Sequence, residues 1–221
     1  MVNPALARKP RKPTAKPAGP GRPKDMGKHS AILEAAKRMF AREGYENVRM
    51  DKIAAEAGVS KLTVYSHFGD KEALFVVSVR ARCQEMLPDD LFEVDLKGPL
   101  QSQLMAIATA FFGLISSEEA LITHRMMLAP GKADDPLRRL FWEAGPQRTQ
   151  EVFSTFLQAR VDIGEMDIPD IPLASEQFFS LIKGGVYSRM MCGLCRKPQR
   201  DEAATHIGAS VDMFLRAYAS R

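Results

Sequence analysis

Apolar residues recur at helical spacing along most of this chain, and no window alternates in the manner of a β-strand. In the first such segment Ile32, Ala35, Ala36, Met39 and Phe40 share one face. Further segments follow between Pro and Gly breaks: Met50–Ala57, Lys61–Phe68, a helix that begins after Asp70 and ends near Leu87, Leu100–Ser116, Glu118–Ala129, Leu137–Glu143, Gln147–Ile163, Leu173–Gly193 and Asp201–Ala219. The pattern predicts an all-α fold in which a small N-terminal helical domain is joined through a fourth helix to a larger helical bundle.

Charge is distributed unevenly along the chain, whose formal net charge is +4. Residues 1–28 carry eight basic side chains and one acid, Asp25, which leaves this segment at +7 and the rest of the chain at −3. The segment is rich in Pro, Ala and Gly, so it buries too little apolar surface to offset the entropy of ordering. We therefore predict a disordered basic arm over 1–28 that a polyanion would attract. For 1–18 the alternative is an expression or solubility tail without a role.

Composition argues against secreted and membrane proteins. No apolar segment of the kind found in secretory signals follows the basic start. The longest apolar stretch, Leu104–Ile115, has about 12 residues, whereas roughly 20 are needed to cross a bilayer. Three cysteines are too few for a disulfide-stapled scaffold. These features predict a cytoplasmic protein that does not engage membranes.

Residues 50–68 have the layout of a helix-turn-helix, in which a glycine-containing turn separates two short helices. Ala57 is small where the two helices approach each other, and Gly58 is able to adopt a positive φ. Val59 is expected to fill the space between the helices, and Ser60 to cap the second helix. The capped N-terminus then presents free N–H groups and the positive end of the helix dipole to an anion.

The second helix of this motif is rich in side chains that can meet DNA. N-terminal residues of such helices face base edges in the major groove, so we assign base reading to Lys61, Leu62, Thr63 and Ser66. Leu62 would contact a thymine methyl group. Phosphate or minor-groove contacts are assigned to Arg22, Lys24, Lys28, Arg49, Ser60, Tyr65, His67 and Lys71.

The N-terminal part of the chain resembles the DNA-binding domain of TetR/AcrR-family transcriptional regulators. The resemblance rests on Phe40, Gly44-Tyr45, Met50-Asp51, Ile53-Ala54, Ala57-Gly58-Val59-Ser60-Lys61, Thr63-Val64-Tyr65, His67-Phe68 and Lys71-Glu72-Ala73-Leu74-Phe75. It implies a three-helix helix-turn-helix domain over 29–87, including the connecting fourth helix, and an effector-binding and dimerisation domain over 88–221. Two positions depart from the family pattern: Arg49 stands where the family has a Thr or Ser cap, and Leu62 where Gly or Ala is common.

The resemblance also implies partners: a palindromic operator in double-stranded DNA, a small-molecule effector of unknown identity, and a second copy of the chain. Candidate residues of the effector pocket are Phe112, His124, Arg125, Met127, Trp142 and Gln177. A symmetric dimer contact should be large and apolar, which points to the last two helices and to Phe178, Ile182, Val186, Val211, Phe214 and Leu215. The alternative is that these two helices only close the core of the protomer.

Other classes of function have less support in the sequence. Cys192 and Cys195 form a C-x-x-C pair, so a thiol-based redox protein or a redox-sensing regulator is the main alternative. Two thiols alone are too few for a zinc site. No catalytic triad and no glycine-rich phosphate loop is recognisable, so we predict no enzyme activity, no cofactor and no metal. A non-specific architectural DNA-binding protein that relies on the basic arm is a third possibility.

Overall fold

The computed structural model describes residues 25–93, 98–131 and 135–220, and within these ranges the chain is helical without a β-sheet. The helices are α1 (Met26–Glu43), α2 (Met50–Glu56), α3 (Lys61–Phe68), α4 (Lys71–Met86), α5 (Leu100–Ile115), α6 (Glu118–Leu128), α7 (Pro136–Trp142), α8 (Arg148–Asp162), α9 (Ile171–Met191) and α10 (Arg200–Tyr218). A 3₁₀ turn lies at Asp89–Phe92, and a π-helical turn at Glu143–Gln147 joins α7 to α8. The predicted all-α architecture is confirmed.

The first helix begins earlier than the sequence pattern indicates. Asp25 caps it by accepting hydrogen bonds from the backbone N–H groups of Gly27 and Lys28. Residues 26–28 of the predicted arm are therefore the first turn of α1. Lys28 lies on this helix, whereas Arg22 and Lys24 lie outside the described residues.

The N-terminal helices pack around a core of their own, formed by one face of each of α1 to α4. Gly58 adopts a φ of 66° in the turn, and Ser60 caps α3, as the motif requires. The N-cap position of α2 is held by Arg49, whose side chain makes no capping hydrogen bond. This core extends beyond the predicted boundary at residue 87, because Met127 of α6 is buried against it.

A second, larger core joins α5, α8, α9 and α10 around a cluster of phenylalanine rings. Phe153 lies 4.5 Å from Phe178, centroid to centroid, and Phe178 lies 5.0 Å from Phe214. Arg160 is completely buried here and forms an ion pair with Glu165 at 2.6 Å. The core therefore depends on aromatic packing and on one buried charge with a partner at its edge.

The predicted dimer contacts do not agree with this packing. Five of them, Phe178, Ile182, Val186, Val211 and Phe214, are buried inside the protomer, and Leu215 is partly buried against the same core. Helical periodicity identified the apolar face of each helix correctly, but that face closes the protomer. The outer faces of α9 and α10 are the ones left accessible.

A bend interrupts α9 at Gly184, whose φ of 47° and ψ of −159° are not helical. The break frees backbone carbonyls of the preceding turn, and side chains of α10 bind them. His206 Nε2 lies 2.9 Å from the carbonyl oxygen of Ile182, and Ser210 donates a hydrogen bond to that of Leu181. The bend is thus stabilised by the neighbouring helix.

Among the described residues no single helix is long and apolar enough to cross a membrane. Only α5 and α6 taken together, with a bend of 69° between them, pass such a test of length and composition.

Candidate nucleic-acid interface and internal cavity

One side of α3 is buried and the other projects from the protein. Val64 and Phe68 anchor the helix in the N-terminal core. On the opposite side the side chains of Leu62 and Tyr65 are 78% and 41% exposed, and those of Lys61 and Ser66 are exposed as well. These four side chains form the accessible side of α3.

The hydroxyl groups at the start of α3 are already engaged. Ser60 Oγ accepts a hydrogen bond from the Thr63 backbone N–H and lies 2.8 Å from Thr63 Oγ1. Ser66 donates to the carbonyl oxygen of Thr63. Of the four side chains assigned to base reading, those of Lys61 and Leu62 are therefore free to contact a base. Those of Thr63 and Ser66 would have to give up or share their present hydrogen bonds to do so.

The side chains assigned to phosphate contacts lie in two kinds of surroundings. Tyr65 in α3 and Arg49 at the N-cap of α2 are exposed. Lys71 is half-buried, with its ammonium 4.1 Å from the centre of the Tyr45 ring and 3.4 Å from the carbonyl oxygen of Glu46. Burial lowers the pKa of Lys71, an effect that Glu46 partly opposes. His67 is also half-buried, with its ring 6.0 Å from that of His29 in α1.

A cavity of about 370 Å³ lies between the N-terminal helices and the larger core. Its walls come from α1 and α4 on one side and from α5 to α9 on the other, including the π-helical turn. Aromatic side chains dominate the apolar lining: Phe40, Phe75, Phe111, Phe141, Trp142 and Phe179. Both its volume and its lining are typical of small-molecule sites.

Two of the six predicted pocket residues, His124 and Trp142, line this cavity. Phe112 is buried in the larger core, one residue away from Phe111, which does line it. Arg125 turns away and donates hydrogen bonds to the carbonyl oxygens of Met190 and Met191 at the end of α9. Met127 belongs to the N-terminal core. Gln177 is exposed on the outer groove of α9 and α10, where it accepts a hydrogen bond from Tyr218.

His124 is held as a neutral side chain at the cavity wall. Its Nδ1 lies 2.9 Å from the hydroxyl oxygen of Tyr187. Burial, and secondly the positive charge of Lys183, lower the pKa of His124 to about 4. Burial also raises the pKa of Tyr187 to about 12, so that the phenol keeps its proton at neutral pH.

Ion pairs connect the helices on the N-terminal side of the cavity. Lys37 of α1 binds Glu34 and also Glu85 of α4. Arg82 of α4 binds Glu119 of α6 at 3.4 Å. These pairs join α1, α4 and α6 at the edge of the cavity.

Comparison with known proteins identifies the group to which this fold belongs. Residues 32–77 match the family model for bacterial regulatory proteins of the TetR family, and residues 102–220, more than half of the chain, match that for the C-terminal domain of AefR-like transcriptional repressors.

The chain belongs to the TetR family.

Relatives of this TetR-family chain are named as regulators of transcription. This chain is 29% identical over 176 residues to the uncharacterised regulator YdeS of Bacillus subtilis, and the match covers 77% of this chain and 82% of YdeS. It is 26% identical to the transcriptional repressor AcnR of Corynebacterium glutamicum, over 73% of this chain and 81% of AcnR.

Solved structures of the family have the same fold. A TetR-family regulator from Mesorhizobium loti superimposes with a TM-score of 0.72 at 28% identity, covering 87% of this chain and 96% of that one. The flavonoid-responsive regulator FrrA superimposes with a TM-score of 0.70, also at 28% identity, over 89% of this chain and all of FrrA.

Membership of this family makes the chain a DNA-binding transcriptional regulator and not an enzyme. The thiol-redox protein gains no support, because the family members are transcriptional regulators. Burial raises the pKa of Cys83 to about 11, which makes this cavity-lining thiol a poor nucleophile. No cluster of metal-binding side chains occurs within the described ranges.

Sequence reasoning missed Lys183 and Tyr187, although a signal was present. Phe179, Lys183 and Tyr187 follow one another at intervals of four residues along α9, which places them near one face. Phe179 and Lys183 both line the cavity, and Tyr187 binds His124, which lines it too. A charged residue that continues an apolar stripe was the available clue.

Proposed function

We propose that this TetR-family chain is a ligand-responsive repressor that binds an approximate inverted repeat as a homodimer. The exposed side of α3 carries the DNA-binding part of the proposal: Lys61, Leu62 and Tyr65 project from a helix whose other side is locked into the core. We assign base reading chiefly to Lys61 and Leu62, and phosphate contacts to Arg49, Tyr65 and Lys71.

The outer faces of α9 and α10 support the homodimer. A groove between them is lined by small residues, among them Ser180, Gly184, Ala209 and Ala217, which allow a second pair of helices to approach closely. Met213 beside it is 58% exposed and Leu173 at the start of α9 is 47% exposed. A second copy that buried these side chains would form a four-helix contact and hold two α3 helices at a fixed separation.

The cavity supports the response to a ligand. Helix α6 contributes Thr123 and His124 to the cavity, and one turn later Met126 accepts a hydrogen bond from the Tyr45 backbone N–H while Met127 enters the N-terminal core. A ligand that shifts α6 therefore shifts the domain that carries α3. FrrA, a structural relative, is named as flavonoid-responsive, which supports a small-molecule response here. Such a ligand acts through its different affinities for the DNA-competent and DNA-incompetent forms.

Selection from a pool of randomised operators tests the DNA-binding proposal. We expect Lys61→Ala to relax the preference at one base-pair position by about 1–3 kcal/mol, because a direct base contact is lost. Lys197→Ala is the matched control, since it removes the same charge from the exposed loop between α9 and α10. A preferred site that is identical in the Lys61 variant and the wild type would contradict the base-reading role. Equal affinity of the wild type for all duplexes would favour an architectural DNA-binding protein instead.

A further inference from the structure

The charges around the cavity leave one cation without a partner. Four basic and three acidic side chains line it. The carboxylates of Glu34, Glu85 and Glu119 are all in ion pairs with Lys37 or Arg82, and Arg38 pairs with Glu56 outside the cavity at 3.2 Å. Lys183 has no hydrogen bond or ion pair within the described part of the chain. The cavity therefore contains an uncompensated positive charge.

The surroundings of Lys183 reduce the hydration of its ammonium. Lys183 is an exposed residue that lines the cavity, and neighbouring protein atoms remove part of the water around its ammonium, which lowers the pKa of that group. The same charge contributes to the lowered pKa of His124, and both side chains line the same cavity. An anion placed between them would relieve both effects.

His124 supplies a second polar atom at the same wall. Its Nδ1 is occupied by Tyr187, which leaves Nε2 as the ring atom available to a ligand. When the Tyr187 hydroxyl donates to Nδ1, the neutral ring carries its proton on Nε2 and donates it. A ligand oxygen that accepts a hydrogen bond from Nε2–H favours this tautomer of His124.

We propose that the effector is an organic monocarboxylate with an apolar, aromatic-containing body, whose carboxylate binds the Lys183 ammonium and His124 Nε2–H. The inference rests on the proposed function, in which this cavity is the effector site. The phenylalanine side chains and Trp142 accommodate the body. One unpaired cation matches one negative charge, so a dianionic phosphate would leave one negative charge without a partner. A cationic effector would find each lining carboxylate already paired.

Three probes with the same body and different head groups test the proposal: phenylhexanoate, the corresponding alcohol and the corresponding primary amine. Trp142 is the only tryptophan in the chain and lines the cavity, so its fluorescence reports binding, with calorimetry as a second measurement. We expect the carboxylate to bind the intact protein about tenfold more tightly than the alcohol, because a charge-assisted hydrogen bond is roughly twice as strong as a neutral one. The amine should bind more weakly than both.

Variants at Lys183 assign the effect to this side chain. Lys183→Met should lose about tenfold in affinity for the carboxylate and change the affinity for the alcohol by less than about twofold. Lys183→Arg should keep the preference for the carboxylate, and Lys197→Met is the control for net charge. The melting temperature of each variant shows whether it is folded, and Lys183→Gln, which also removes the charge, gives the answer if the Met variant is not folded.

The proposal is overturned by an alcohol that binds the wild type as tightly as the carboxylate, by carboxylate binding that is unchanged in Lys183→Met, or by the absence of any binding. Operator binding by the same preparations separates this failure from that of the proposed function. A protein that binds its operator but shows no carboxylate preference refutes only the effector class. A protein that binds the carboxylate through Lys183 and selects no operator refutes only the repressor.

Discussion

At the scale of single residues, His124 makes the stability of the protein depend on pH. Its pKa is about 4 in the folded protein and about 6.5 in an unfolded chain, so the unfolded state binds the proton more readily. The stability that a neutral His124 contributes is complete above pH 6.5 and is lost as the pH falls towards 4. Between pH 7 and pH 5 we expect this side chain to account for a loss of about 2 kcal/mol in the free energy of unfolding.

Denaturant unfolding of His124→Asn across this pH range measures the contribution, because the other titrating groups are common to both proteins. The variant should lack the loss assigned to His124. Tyr187→Phe is the control: it removes the hydrogen bond to Nδ1 but leaves the burial that is the main cause of the shift, so its pH dependence should persist. Parallel pH profiles for the wild type and His124→Asn would show that the ring is not desolvated.

Predictions for single residues succeeded where local backbone conformation determines the role of the residue, and failed where tertiary packing determines it. Ser60 and Gly58 have the cap and the positive φ that their motif requires, because both properties are local. Arg125 and Gln177 are predicted to line the effector pocket, but neither does. Successive residues of a helix point in directions roughly 100° apart, so neighbours on one helix face the cavity, the surface or the core. Periodicity alone does not say which of these surroundings a given face meets.

At the scale of secondary-structure elements, the bend in α9 depends on one glycine. A Cβ atom at Gly184 would clash with the His206 ring, and its φ of 47° is unfavourable for any other residue. We expect Gly184→Ala to destabilise the protein by at least about 2 kcal/mol. Gly185 has a helical backbone, and no atom lies within 4 Å of a Cβ placed there. Gly185→Ala should therefore be neutral or stabilising by up to about 1 kcal/mol.

Thermal melting of the two variants makes this comparison. Equal melting temperatures would show that α9 accommodates a side chain at the bend by straightening. The bend itself was not predictable from the sequence, in which the apolar period continues across both glycines and reads as one straight helix. Its cause is tertiary, since His206 and Ser210 of α10 bind the carbonyl groups that it frees.

At the scale of the whole molecule, neighbouring residues of α10 distinguish the protomer core from the proposed dimer contact. Phe214 is 1% exposed and belongs to the larger core, whereas Met213 projects outward. We expect Met213→Glu to give a folded monomer with greatly weakened operator binding, because the charge would lie in the symmetric contact. Phe214→Glu should instead unfold the protomer, since it buries a charge without a partner.

Sedimentation and circular dichroism of the two variants test the arrangement. An intact dimer of Met213→Glu would place the contact elsewhere. The sequence was sufficient for the fold class and for helix bounds to within a few residues, because helical periods and Pro and Gly breaks are strong local signals. It could not assign the faces of α9 and α10, since a core and a dimer contact are both apolar and only the complete packing separates them.

The cavity shares its walls with the N-terminal domain, since α1 and α4 contribute to both. Thermodynamic reciprocity then applies: if an effector weakens operator binding by some factor, the operator must weaken effector binding by the same factor. A repressor bound to its operator would consequently need a higher effector concentration for half-saturation than the same protein free in solution. More operator copies would therefore raise the effector concentration at which the switch responds, without any change in the protein.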